Sequence, residues 1–248
     1  GASTPEESLQ ATPTLGPADQ LIPVKGARRI VAERMHTSLR DTAQLTMTSY
    51  ADATRLLELR AAFKNADPQF QVDGITVNDL ILFAVARTLR EHPELNSTYR
   101  DSDGELGIVR SAAVHLAFAV DTPRVLMVPV IRDAEGLRLR ELSTRTTDMA
   151  ARCREGTITS EELSGGTFTV SNLGAFGVES FTPILNPPQA AIIGIGAVTW
   201  RPIGEQAVQQ QIALSLTIDH RLIDGAPAAQ FLQTLCARIS ELDVLLAL

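Results

Sequence analysis

The stretch Ile212-Ala213-Leu214-Ser215-Leu216-Thr217-Ile218 alternates apolar residues with small or polar ones, and it leads directly into Asp219-His220-Arg221-Leu222-Ile223-Asp224-Gly225. Alternation with period two predicts a β-strand that buries one face. His220 therefore leaves the strand at its end, where a rigid element holds it and carboxylates lie close by in sequence. An imidazole in such a position can take a proton from a thiol or a hydroxyl near neutral pH.

The same residues also allow a purely structural interpretation. A histidine at the end of a strand is commonly a surface or structural residue, and Asp219 and Asp224 are typical turn-forming residues before Gly225. The short pattern His-x-x-x-Asp-Gly fixes only three positions. By itself it does not decide between a base and a structural histidine.

The longer string Asp-His-Arg-x-x-Asp-Gly after an apolar strand resembles the signature of the dihydrolipoamide acyltransferases, the E2 components of the 2-oxo acid dehydrogenase complexes. Further segments are similar to this family in the same order along the chain: Arg28–Met35, Val77–Asp79, Pro93–Asn96, Gly165–Gly174 and Pro183–Ala190. The resemblance implies an α/β fold in which helices flank a mixed sheet, as in chloramphenicol acetyltransferase.

The resemblance also implies a reaction, the transfer of an acyl group between a dihydrolipoyl thioester and coenzyme A. A thiol with a pKa of about 8.5 is mostly protonated at neutral pH, so the reaction needs a base. His220 matches the base of the family. Ser171, directly before Asn172, matches the family's Ser or Thr that donates a hydroxyl to the oxyanion of the tetrahedral intermediate. In the family, these two residues come from neighbouring subunits of a trimer.

Asp224 is the third residue of the implied catalytic set, and the resemblance gives it no part in proton transfer. We expect it to pair with an arginine and to hold the turn that aims His220. Arg221 and an arginine distant in sequence are equally plausible partners. Asp219 is expected to face away from the base and to support it indirectly at most.

The composition is that of an ordinary soluble globular protein, with 44% hydrophobic and 21% charged residues. The net charge of -7 argues against a nucleic-acid-binding protein, which needs a basic face. Cys153 and Cys236 form neither a disulfide framework nor a metal-binding spacing, so we expect a reducing compartment and no metal. No apolar run reaches the roughly 18 residues that a membrane span requires.

The chain is expected to consist of a linker followed by one domain. Residues 1–20 lack periodicity and are typical of a disordered linker or a cloning remnant. Residues 21–248 would form the acyltransferase catalytic domain. Thr76 with Asp79 predicts a capping box, and Pro227 predicts the first residue of the last helix. Periodicity predicts helices over 26–40, 52–64, 76–92, 142–154 and 227–242, and strands over 44–50, 112–120, 126–131, 167–171, 190–198 and 211–218.

The family further implies partners and cofactors. Coenzyme A is a substrate, and the lipoyl group is expected on a separate domain outside this chain. We expect a homotrimer, assembled into a 24-mer or a 60-mer, that works with lipoyl domains and with the E1 and E3 components. The apolar end Leu242–Leu248 would dock onto its own domain or into a two-fold related neighbour. The expected compartment is the bacterial cytoplasm, with the mitochondrial matrix as the alternative.

Other functions stay open at this level. A non-catalytic core protein, like the partner found beside some E2 chains, lacks the histidine, whereas this chain has both His220 and Ser171. A stand-alone acyltransferase of the chloramphenicol type would not need the linker or the segment Arg28–Met35. Among acyl groups, acetyl is favoured over succinyl or a branched acyl group. Val125 stands where the family usually has glycine, which bears on the width of the substrate channel.

Overall fold

A computed structural model describes residues 16–102, 105–205 and 207–247. Residues 1–15 of the predicted linker lie outside the described residues. The helices in the described part are α1 (Gly26–Asp41), α2 (Thr54–Lys64), α3 (Val77–Leu89), α4 (Leu139–Glu155), α5 (Gly225–Ser240) and α6 (Leu242–Leu246). The strands are β1 (Gln44–Asp52), β2 (Ser97–Ser102), β3 (Glu105–Arg110), β4 (Leu116–Phe118), β5 (Val130–Ile131), β6 (Phe168–Asn172), β7 (Ala191–Ile203) and β8 (Ala207–Asp219).

Six strands form one mixed sheet in the order β1-β8-β7-β6-β4-β5, while β2 and β3 form a separate hairpin. β4, β6 and β7 run parallel, and β8 is antiparallel to both of its neighbours. Parallel neighbours need long crossover connections. α4 lies in the connection from β4 to β6, and residues 173–190 connect β6 to β7. The predicted fold class, a mixed sheet with flanking helices, is confirmed.

The sheet is buried on both of its faces. Along β8 the apolar residues of one face are buried in the core: Ile212, Leu214, Leu216 and Ile218. On the same side of the sheet, Phe168 of β6 meets Phe231 of α5 with 5.7 Å between ring centroids. On the other face, Phe181 from the β6–β7 connection covers Gly194, where a Cβ atom would lie only 2.8 Å from its ring. The end of β8 is therefore held firmly from two sides.

The start of α3 is fixed by the predicted capping box. The Thr76 hydroxyl accepts from the amide of Asp79, and the Asp79 carboxylate accepts from the amide of Thr76. The buried carboxylate also accepts from the hydroxyls of Ser143 and Thr146 on α4, at 3.0 and 2.6 Å. A buried carboxylate without such donors would be strongly destabilising, so this residue joins the two helices as well as capping one of them.

Several element boundaries differ from the prediction. The hairpin of β2 and β3 was not predicted, and β7 and β8 extend beyond the predicted strands. The predicted strands 112–120 and 126–131 shrink to β4 and β5, although Val120 and Met127 still form a bridge. Pro227 is the third residue of α5 rather than its first, because the helix begins at Gly225. A proline is tolerated there since the first four amides of a helix have no partner within it.

The two ends of the described chain differ in how they pack. Ser38 is the single buried residue of α1, and Leu21 and Ile22 before it are each 74% exposed. At the other end, Leu242 and Leu245 of α6 are buried against their own domain. The apolar end was expected to dock onto its own domain or into a neighbour. Leu242 and Leu245 pack into the core of their own domain, whereas Val244 is exposed. Leu248 lies outside the described residues.

Candidate active site

His220 occupies the first position after β8, in a turn whose backbone is fixed within the chain. Its amide donates to the carbonyl of Ala43 at 2.8 Å, where β1 begins beside the end of β8. The amides of Leu222 and Ile223 both donate to the carbonyl of Asp219. His220 itself is exposed. The turn therefore presents a solvent-accessible imidazole on a rigid backbone, as the sequence predicts.

The residue before the base has a larger role than we predicted. Asp219 is completely buried, and its carboxylate accepts from the amide of Arg221 at 3.1 Å and from the amide of Ala43 at 3.3 Å. The Arg221 guanidinium donates to both carboxylate oxygens, the shortest contact being 2.6 Å. Burial opposes ionisation, but these hydrogen bonds outweigh it and keep the pKa of Asp219 below its usual value.

Of the two partners that the sequence leaves open for Asp224, Arg221 pairs with Asp219 in the single chain. Arg221 lies two residues beyond the end of β8, so its side chain can turn back to the buried carboxylate. Asp224 is the N-cap residue of α5 and is exposed, and no ion pair to it occurs among residues 16–102, 105–205 and 207–247. Its place at a helix N-terminus favours a negative charge.

Ser171 lies in β6, opposite Gly194 of β7, and is half-buried. It points to the face of the sheet opposite Val170, which is buried in the core. The side chain of the neighbouring Asn172 holds the end of the strand. Its Nδ2 donates to Oδ1 of Asn78, and its Oδ1 accepts from the backbone amide of Gly174. The sequence motif around Ser171 thus forms a strand end that is locked to the start of α3.

The glycine that follows Ser171 by three positions is required by the packing of the backbone. A Cβ atom on Gly174 would lie 2.5 Å from the carbonyl oxygen of Gly196, and one on Gly196 would lie 1.8 Å from that of Glu179. Both contacts are with backbone and cannot be relieved by a side-chain rotation. A cavity of about 440 Å³ adjoins this strand end and is lined partly by Asn78, Asn172 and Ile195.

The sheet register separates Ser171 from His220 within one chain. Ser171 is opposite Gly194, and Gly194 is opposite Ser215, so two strand spacings lie between β6 and β8. His220 follows Ser215 by five residues, which is about 17 Å along the strand, and two spacings add about 10 Å across it. The two Cα atoms are then about 19 Å apart, too far for both side chains to contact the same reacting atoms.

The remaining candidate nucleophiles and histidines have ordinary surroundings. Cys153 is buried and Cys236 is half-buried, and burial raises the pKa of the Cys236 thiol to about 11. His92 contacts the hydroxyl of Thr234 at 3.1 Å, and burial lowers its pKa. His115 accepts a hydrogen bond from the amide of Asp133. In the described segments, no group of three His, Cys, Asp or Glu residues is arranged to hold a metal ion.

The family model of the 2-oxoacid dehydrogenases acyltransferase (catalytic domain) matches residues 16–247. The chain belongs to this family. A dihydrolipoyllysine-residue acetyltransferase component of the acetoin cleaving system from Bacillus subtilis is 44% identical over 235 residues, covering 94% of this chain and 58% of the relative. A dihydrolipoyllysine-residue succinyltransferase component of the 2-oxoglutarate dehydrogenase complex from Haemophilus influenzae is 32% identical over 237 residues, with 94% and 57% covered. This acyltransferase domain thus spans less than two thirds of either relative.

Solved structures give the same assignment. Dihydrolipoamide acetyltransferase from Azotobacter vinelandii, studied for the roles of a serine, a histidine and an asparagine in its catalytic mechanism, is 32% identical with a TM-score of 0.85. It covers 95% of this domain and 100% of its own chain. The cubic core of the pyruvate dehydrogenase multienzyme complex matches with the same values. A chloramphenicol acetyltransferase, at 15% identity, has a TM-score of 0.50 over 80% of this domain and 84% of its own chain, which confirms the expected fold.

Sequence reasoning gave Asp219 a supporting role at most and missed its pairing with Arg221, although a signal was available. Ala213, Ser215, Thr217 and Asp219 have the same parity along β8, so Asp219 belongs to one buried face of the strand. A carboxylate at such a position must find strong donors. The nearest donor that can reach it is Arg221, and the structure shows this pair.

Proposed function

We propose that this acyltransferase domain transfers an acetyl group between a dihydrolipoyl thioester and coenzyme A. The observation that carries the proposal is the turn at His220, in which the amides of residues 220–223 all have hydrogen-bond partners while the histidine is exposed. A base that is rigid and accessible meets the geometric demand of general base catalysis. The relatives named above support the type of substrate.

In the proposed mechanism, the reaction proceeds through a tetrahedral intermediate without an acyl-enzyme. His220 takes the proton of the coenzyme A thiol, and the thiolate sulfur forms a bond with the carbonyl carbon of the dihydrolipoyl thioester. The hydroxyl of Ser171 donates a hydrogen bond to the resulting oxyanion. The intermediate then expels the dihydrolipoyl sulfur, which receives the proton from the imidazolium.

The proposed active site is shared between two subunits. Within one chain, Ser171 and His220 are separated by about 19 Å, so neither can complete the site of the other. A second copy that brings its Ser171 to the first copy's His220 resolves this separation. We therefore propose a homotrimer with a site at each subunit boundary, in which a monomer has no activity.

The exposed apolar surfaces support a larger assembly. Leu21, Ile22 and Ile30 at the N-terminal end and Val244 at the C-terminal end are all more than half exposed in the single chain. Exposed apolar residues on separate surfaces favour contacts with more than one neighbour. We propose that trimers join into a 24-mer or a 60-mer that binds lipoyl domains and the E1 and E3 components in the bacterial cytoplasm.

The proposal of an acetyl group depends on the similarity to acetyltransferases and on the residue at position 125. Identity is higher to the acetyltransferase of the acetoin system than to the succinyltransferase, 44% against 32%. Val125 is buried, and its amide and carbonyl both bond to the hydroxyl of Thr122, so the bend between Val120 and Met127 is closed on itself. This packed bend would narrow the substrate channel and favour the small acetyl group.

A steady-state assay tests the proposal. Acetyl-CoA, succinyl-CoA and isobutyryl-CoA are offered to free dihydrolipoamide, with His220→Ala as the control. We expect transfer from acetyl-CoA at the highest kcat/KM, and none above background for the variant. An assembled wild-type protein that uses none of the three donors would refute the enzymatic function. A preference for succinyl-CoA or isobutyryl-CoA would refute the acetyl assignment alone.

A further inference from the structure

The backbone carbonyl and the side-chain carboxylate of Asp219 together fix the turn that holds His220. The carbonyl of Asp219 accepts from the amides of Leu222 and Ile223, at 2.9 and 3.1 Å, while its buried carboxylate accepts from the amide of Arg221. The same carboxylate reaches the amide of Ala43, and the carbonyl of Ala43 accepts from the amide of His220. The backbone of His220 is therefore fixed by residues that are hydrogen-bonded to one another, while its side chain stays exposed.

Arg221 completes this arrangement on the outer side. Its guanidinium makes three hydrogen bonds to the Asp219 carboxylate, a planar fork that a lysine cannot reproduce. The guanidinium also lies 5.6 Å from the centroid of the Tyr99 ring, and Asp41 adds a second negative charge nearby. The ion pair is thus fixed at the end of β8 and lies against the ring of Tyr99 in the hairpin, whereas Asp41 makes no hydrogen bond to it.

Building on the proposed function, we infer that Asp219 and Arg221 are positioning residues that aim the imidazole of His220 at the acceptor thiol and balance the charge beside it. Displacement of a catalytic group by about 1 Å can lower the rate about 100-fold, so a fixed turn has a direct kinetic value. The imidazolium that forms during the reaction then lies next to a neutral ion pair rather than next to an unpaired arginine.

Replacing Asp219 by asparagine keeps the size of the side chain and removes its charge. Arg221 is then left without its carboxylate partner, and the turn loses the ion pair that fixes it. We expect kcat to fall about 10- to 100-fold, as for a displaced base. The KM values for coenzyme A and dihydrolipoamide should stay within about threefold of the wild type, since neither substrate contacts the buried carboxylate.

The test measures kcat, both KM values and the melting temperature of the assembled Asp219→Asn protein. Asp41→Asn is the matched control, because it makes the same change of charge near Arg221 at an exposed residue that hydrogen-bonds to Arg40 instead. The control should keep the wild-type kcat and both wild-type KM values. A role in stability alone would lower the melting temperature of Asp219→Asn while kcat, measured well below that temperature, stays at the wild-type value, and that result would overturn the inference.

A second variant keeps the inference testable if Asp219→Asn does not assemble. Arg221→Lys changes a side chain that is 35% exposed, retains the charge and loses the planar fork. It should lower kcat by a smaller factor with both KM values unchanged, and an unchanged kcat would overturn the inference. Wild type and His220→Ala are measured in parallel. An inactive wild type refutes the proposed function itself, whereas an active wild type, a silent His220→Ala and a normal Asp219→Asn refute only the positioning role.

Discussion

The turn around His220 and the strand around Ser171 belong to one sheet, but different contacts fix them. In the turn, successive backbone amides find partners within the chain, and the buried carboxylate of Asp219 pairs with the partly exposed guanidinium of Arg221. In the strand, Asn172 and Gly174 connect the end of β6 to α3 and to β7. Ser171 is half-buried on the face of the sheet that does not carry Val170. Each half of the site is rigid by itself, but about 19 Å of sheet separates them.

In the proposed shared site, this difference makes the chemistry depend on assembly. The hydrogen bonds described for each half lie within one chain. The proposal needs a neighbour only to bring a second Ser171 to His220. Mutations in the two halves should therefore affect catalysis differently, while both leave the fold intact.

Removing the base is expected to give the largest effect. His220→Ala should lower turnover by two to four orders of magnitude, about the range that general base catalysis contributes. The fold should survive because the exposed imidazole contributes little to packing. Steady-state rates and the particle size by analytical ultracentrifugation check this prediction. Near-normal turnover would show that another group removes the thiol proton.

Removing the oxyanion donor should give a smaller loss. Ser171→Ala is expected to raise the barrier by about 2.7–4 kcal/mol if the hydroxyl is the principal donor, with little change in KM. Ser171→Thr provides the control, since it keeps a hydroxyl at the same position. A loss of less than about threefold for Ser171→Ala would instead indicate a backbone amide as the donor.

Asp224 should be the least sensitive member of the predicted set. Asp224→Asn keeps the size of the side chain, and the exposed carboxylate makes neither a capping hydrogen bond nor an ion pair in the described part of the chain. We expect turnover within about threefold of the wild type, because the substitution removes no contact seen in the single chain. A loss of more than about tenfold would mean that an arginine from a neighbouring subunit pairs with Asp224.

Much of this comparison could be predicted from sequence because it depends on local patterns. The alternation along β8 and the following polar turn placed His220 at a strand end, and Thr76 with Asp79 gave the start of α3. Both features depend on residues close in sequence. The assignment of Ser171 depended on resemblance, since nothing in a short polar strand distinguishes a catalytic serine from a structural one.

The parts that were missed depend on contacts between distant segments. The hairpin of β2 and β3 was overlooked although Asp103-Gly104 is a typical hairpin dipeptide in sequence. The reason is that β2 is polar and neither strand is a long alternating apolar run. The predicted start of the last helix, at Pro227, is two residues too late, because the helix begins at Gly225 after the N-cap residue Asp224. The pairing of Arg221 with Asp219 follows from the burial of the last residue of β8, which periodicity shows only once both faces of the sheet are known to be covered.

The most direct test of the shared site is complementation between the two inactive variants. His220→Ala and Ser171→Ala are co-expressed in equal amounts, with distinct affinity tags, and mixed assemblies are purified through both tags. If each site takes His220 from one subunit and Ser171 from its neighbour, every mixed trimer regains one of its three sites, and larger assemblies built from random trimers regain about one quarter of the wild-type sites. Activity near that level is the predicted result. Activity no higher than that of the two variants assembled separately would contradict the account, because it would place both residues of a site in the same chain.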